Sequence, residues 1–132
     1  MNLADIYEGI QTRLATLVTV HALTFEPLNP PTPSVFPILP ERGTYHTDLS
    51  DNVEVDITVR LIISTADQRA STVEVIRYLD DAGGYSVKAA LETDPTLAGS
   101  AESVTVTGWE LVSVRYGAVD YLAADFNLNV LA

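Results

Sequence analysis

A chain of 132 residues, 47% of them apolar, is long enough to bury one hydrophobic core without metal or disulfide support, and it points to a single domain over residues 1–132. It has no cysteine, which excludes disulfides, thiolate chemistry and cysteine-ligated zinc or iron–sulfur sites. Eighteen acidic residues against seven basic ones give a formal net charge of −11, and the basic residues are scattered singly, so tight binding to DNA, RNA or an anionic membrane is not expected.

The first stretch, "LADIYEGIQTRLATL", sets Leu3, Ile6, Ile10, Leu14 and Leu17 at helical spacing and predicts an amphipathic helix. "MNLADIYEGI" has neither the basic stretch nor the apolar run of a signal peptide, and no apolar run approaches the length of a membrane span. "VTVHALTFE" is rich in β-branched residues and reads as a short strand. "PLNPPTPSVFPILP", residues 27–40, then holds six of the seven prolines together with Val35, Phe36, Ile38 and Leu39. Prolines forbid a helix there and remove ladder donors, so Val35 to Leu39 are expected as an extended edge strand. With the following loop they make a proline-rich arm at about 27–51. A solvated linker does not need four large apolar side chains. They either cover the home sheet or dock on an adjacent subunit.

"NVEVDITVRLIIST" alternates over most of its length. Val53, Val55, Ile57, Val59, Leu61 and Ile63 share one side, and Glu54, Asp56, Thr58 and Arg60 share the other. It exceeds the usual strand of about 5–6 residues, which suggests that part of it projects beyond the domain. "DQRASTVEVIRYLDDAGG" predicts a second helix with a Thr72, Val75, Ile76, Leu79 stripe and a stop at Gly83 or Gly84. "SVKAALETDPTLAGS" predicts a short third helix capped by Ser86, with Pro95 beyond its end. Two long β stretches close the chain around Gly117-Ala118, a pair suited to a type II′ hairpin turn. Val104 and Val106 lie on even positions, whereas Trp109 and Leu111 lie on odd ones; a bulge at Gly108 restores one apolar face. The expected class is α+β, a mainly antiparallel sheet with an N-terminal helix and two central helices, in the order α-β-β-β-α-α-β-β-β.

Signals for chemistry are sparse. "HTDLSD" brings His46, Asp48 and Asp51 together without the spacing of a known metal cage. Asp80 and Asp81 point about 100° apart on a helix and suit a helix stop better than an acid/base pair. No P-loop, GxGxxG, GxSxG or HExxH occurs. No catalytic, cofactor-binding or metal-ligating residue is assigned, and an enzyme is not expected. Trp109, Tyr45, Tyr85 and Tyr116 are open to core, subunit-contact or ligand-stacking roles.

Three stretches carry a family likeness: the opening helix followed by a strand and "PLNPPTPSVFPILPE"; "NVEVDITVRLIIST" running into "DQRASTVEVIRYLDDA"; and "VKAALETDPTLAGSAESVTVTGWELVSVRYGAVDYLAADFNLNV". In this order of elements, and in the style of the "DPTLAGS" connector, most of the chain resembles the tail terminator (tail completion) proteins of long-tailed bacteriophages. The resemblance implies a structural virion protein of the tail and neck region, made in the host cytoplasm. It implies a homo-oligomeric ring, commonly a hexamer, that ends tube polymerisation. Its partners would be the tail tube protein and the head-completion or connector protein, with DNA passing through unbound. No catalytic residue is implied. Val35, Phe36, Ile38, Leu39, Tyr45 and Trp109 are then the candidate subunit-contact residues, and Glu54 and Asp56 the candidate acids facing the lumen. Another neck or baseplate component, or a small soluble enzyme, is the alternative.

Overall fold

The structure is a computed structural model and describes residues 2–17, 20–40, 42–45, 53–65 and 72–131. The elements are α1 (Leu3–Leu14), β1 (His21–Ala22), β2 (Ser34–Pro37), β3 (Arg42–Tyr45), β4 (Val53–Thr65), α2 (Thr72–Leu79), α3 (Val87–Glu92), β5 (Ser103–Tyr116) and β6 (Val119–Leu131). The class is α+β, with three helices and one six-stranded sheet among the described residues. The sheet runs β1-β2-β4-β6-β5, with β3 on β4, and only the β1–β2 pair is parallel. One more strand precedes the central helices than the sequence suggested, because "RGTY" pairs with Val53–Asp56 inside the stretch read as a loop. One fewer follows them, because β5 passes through Gly108 unbroken.

The long β4 does not project from the domain. Its Glu54–Thr65 stretch pairs with β6, while β3 and β2 share its other edge in succession. Every backbone group in a buried strand needs a partner, and a long strand can find them all when two short strands lie end to end beside it. Nor is β2 an edge strand. β1 lies beside it, and the His21 and Leu23 amides donate to the Pro33 and Val35 carbonyls at 3.0 and 2.9 Å. Pro33 meets β1 through its carbonyl, a group that proline keeps, so a proline there does not bar the pairing.

The odd-numbered face of β4 and the even-numbered face of β6 form the main core with α1, α2 and α3. Ile6, Ile10 and Leu14 of α1 are fully enclosed there, with Ile57, Val59, Leu61, Phe126 and Leu128 of the sheet. Asn2 caps α1, its side chain accepting from the Asp5 amide. In α2 the apolar stripe differs from the expected one. Tyr78 is buried and packs edge-on to Tyr85, whereas Ile76 is exposed. The helix stops at Leu79, before Gly83, where the Ser86 hydroxyl donates to the Asp80 carbonyl at 2.5 Å and the Asp80 carboxylate accepts from the Asp81 amide. Such local side-chain bonds compete with the next helical turn. Ser86 also caps α3, accepting from the Ala89 amide at 3.1 Å.

The "DPTLAGS" connector is pinned from two directions. Leu97, Ala98 and Gly99 all have left-handed backbones, with φ of 49°, 58° and 93°. The Asp94 carboxylate accepts from the Thr96 hydroxyl and the Ala98 amide, which holds its pKa below the usual carboxylate range. Leu97 is driven into the core against Gly9 of α1.

The closing hairpin follows its sequence pattern. Gly117 has φ +63°, and Tyr116 registers with Val119 across a two-residue turn. Val106 registers with Leu128 and Gly108 with Asn127, so Thr107 is the extra residue of a bulge. Beyond it Trp109 and Leu111 return to the helix-covered face, opposite Phe126 and Ala124.

Candidate functional site

The arm residues named from the sequence divide between the two sheet faces. Val35 joins the main core and Phe36 a second cluster on the opposite face, with Ile62, Tyr121 and Ala123; both are wholly enclosed. These two therefore offer no surface to a neighbouring subunit, which corrects the expectation that they are contact residues. Successive residues of a strand point to opposite faces, and both faces of β2 are covered. Ile38 is half-buried against the second cluster. Leu39 is exposed (75%), as are Phe25 (64%) and Leu28 (88%) on the arm's approach. Tyr45 contributes backbone to β3, and His46, Asp48 and Asp51 lie outside the described residues.

The face away from the helices is apolar at the hairpin end and polar at the other. Between the two runs a network that ties the arm to the sheet. Arg60 of β4 grips Asp125 of β6 with both prongs of its guanidinium, at 2.8 and 3.0 Å. It also donates to the Tyr116 hydroxyl at 3.1 Å, and that hydroxyl donates to Glu26 at 2.6 Å. The Asp125 hydrogen bond raises the Arg60 pKa further. Burial first, then the bond to Glu26, pushes Tyr116 up to about 12. The Tyr116 ring meets Phe36 and Tyr121 edge-on, so the hairpin tip curls back over the sheet. A cleft of about 330 Å³ lies beside the network, lined among others by Arg42, Asp56, Arg60 and Asp125. Arg60 and Asp125 are spent on each other there.

Glu54 and Asp56 sit on the same polar face, where the Asn129 amide donates to both, at 2.7 and 3.1 Å. The register places Asn129 opposite Asp56. Among the described residues no three His, Asp or Glu side chains are grouped to hold a metal, and no helix is long and apolar enough to cross a membrane.

At the far margin of the sheet, Trp109 is half exposed (51%) and Leu111 is exposed beside it. The outer edge of β5 has no strand partner among the described residues. At the near margin, the Tyr7 ring stacks on Phe25 with centroids 6.3 Å apart, and the Tyr7 hydroxyl donates to the Ile38 carbonyl at 2.7 Å. Burial pushes Tyr7 up to about 12. Tyr7, Phe25, Glu26, Pro37 and Leu39 line a second cleft, of about 250 Å³. Of these five, sequence reasoning singled out only Leu39. Tyr7 was discoverable, since Tyr7, Ile10 and Leu14 also keep helical spacing. Nothing in the local pattern marks Glu26.

No known protein family and no curated protein matches the chain. Fold and site together define a one-sheet α+β protein whose described surface is notable for apolar side chains at both margins of the sheet.

Proposed function

We propose that the chain is a structural ring subunit of a bacteriophage neck, a tail terminator that halts tube polymerisation and offers a surface to the head-completion protein. The observation that carries this reading is the exposure of large apolar side chains on both flanks, Phe25 and Leu39 on one and Trp109 and Leu111 on the other. Closed rings form when one patch meets a different patch on the next copy, so each subunit must be adhesive on two sides. The net charge of −11 suits a conduit that must not hold DNA. Glu54 and Asp56, held side by side by Asn129, are the acids assigned to the lumen.

The test is to mix the purified chain with phage tail tube subunits and to image the products by electron microscopy. The expected result is a ring on one end of each tube and an arrest of tube growth. Tubes that keep growing with bare ends would refute the reading.

A further inference from the structure

We infer that Trp109 of one copy docks in the Tyr7–Phe25–Pro37–Leu39 cleft of the next. The inference rests on the ring reading above and names the contact that would build such a ring.

Knob and hollow are set at one level of the sheet. Pro37 registers with Val59, Val59 with Phe126, and Phe126 with Trp109. Directly opposed residues share a face, so Trp109 and the Pro37 wall of the cleft lie on the helix-covered side, at opposite ends of one row. Three strand spacings, about 14 Å, separate those ends. β1 stops at Ala22, opposite Val35, so it leaves the Pro37 level of β2 open for Phe25 to border the cleft. A copy displaced sideways along the row would bring its Trp109 to the hollow of its neighbour, while its own hollow stays free for a third copy. This is a heterologous contact, the kind that propagates.

The chemistry of the cleft matches an indole. Its walls are two aromatic rings, a proline and a leucine, and the one charged group is the Glu26 carboxylate. An indole is an apolar plate with a single donor, the Nε1–H, and a carboxylate only accepts. Local charge permits a second copy as the occupant. A chain of net charge −11 repels itself wherever carboxylates face one another. Residues 27–40 and 103–109 carry no charge at all, so the arm flank and the Trp109 flank can meet with little repulsion. One docked indole covers about 150–250 Å², well short of the roughly 800 Å² per partner of a standard interface. Leu111, exposed beside Trp109, extends the contact.

Trp109 is the chain's only tryptophan and there is no cysteine, so the test can be direct. Sedimentation of the full chain over rising concentration should show association. Trp109 emission should shift to the blue and lose acrylamide quenching as it does so. Trp109→Ala and Leu39→Glu should each weaken association about thirty-fold or more, as loss of a central anchor does. An equimolar mixture of the two should form one-to-one dimers and nothing larger, because one knob and one hollow survive. A mixture of Trp109→Cys and Leu39→Cys should form a disulfide between copies. Should a variant misfold by circular dichroism, the wild-type emission decides. Association that leaves Trp109 quenchable, or that Trp109→Ala does not weaken, overturns the docking and spares the ring reading. A chain that stays monomeric at every concentration overturns the docking as well. Bare tube ends would sink the ring reading by a separate measurement.

Discussion

Gly9 shows how one backbone position ties two distant segments together. A Cβ added there would lie 2.8 Å from the Leu97 Cβ, closer than such atoms approach. In an open helix, alanine is favoured over glycine by about 0.8–1.0 kcal/mol. Here α1 needs the glycine so that the left-handed Leu97 can enter the core. Overpacking of this kind typically costs about 1–3 kcal/mol, which exceeds the propensity gain. Gly9→Ala is therefore expected to lower stability by about 1 kcal/mol or more in urea denaturation, against the direction that helix propensity alone predicts. The alternation and helical spacing of apolar residues were legible from the chain. This dependence was not, because residues 9 and 97 meet only after α1 packs beside the connector. Trp109 was legible as an anchor by its chemistry, but its exposure was not, because it depends on what packs over the margin of the sheet.

At the scale of elements, two tyrosines tie the proline arm and its approach to α1 and to the sheet. Tyr7 of α1 donates to the Ile38 carbonyl, and Tyr116 at the end of β5 bridges Arg60 and Glu26. Both phenols are held up at about 12, chiefly by burial, against an ordinary value near 10. The folded chain therefore keeps protons that the unfolded chain has released between pH 10 and 12. Their contribution is fully present below pH 10 and is lost as pH rises through about 12. Stability measured by urea titration should fall across that window, and the double substitution Tyr7→Phe, Tyr116→Phe should flatten the fall. An equally steep decline in the double variant would place the alkaline sensitivity elsewhere. The element types were largely readable from periodicity. The pairing of "RGTY" with β4 and the interior place of β2 were not, since a four-residue strand carries too little pattern to stand out from a loop. Proline in β2 signals an edge until β1 is seen to pair with its other side.

For the whole molecule, charge and apolar flanks act against each other. Copies at net charge −11 repel, and the proposed contact sets a mainly apolar cleft, with Glu26 its one charged group, against the uncharged 103–109 stretch. Self-association should therefore tighten severalfold as salt rises from about 0.02 to about 0.5 M, where the Debye length falls from roughly 20 Å to roughly 4 Å. Sedimentation equilibrium at the two salt concentrations checks this. Weakening with salt would mean that ion pairs, not apolar surface, hold the copies together.

What this chain determined on its own was its class, its two sheet faces and the bulge that keeps β5 in phase. Those follow from side-chain spacing along a single element, which local geometry dictates. What only the tertiary structure decided was the fate of the arm. Val35 and Phe36 turned inward to opposite cores, while Leu39, Phe25 and Glu26 were left outside around a cleft floored by the buried Tyr7 ring. The outcome depends on which strands flank β2 and how far α1 reaches. Contacts between residues dozens of positions apart set both, and no local pattern encodes them.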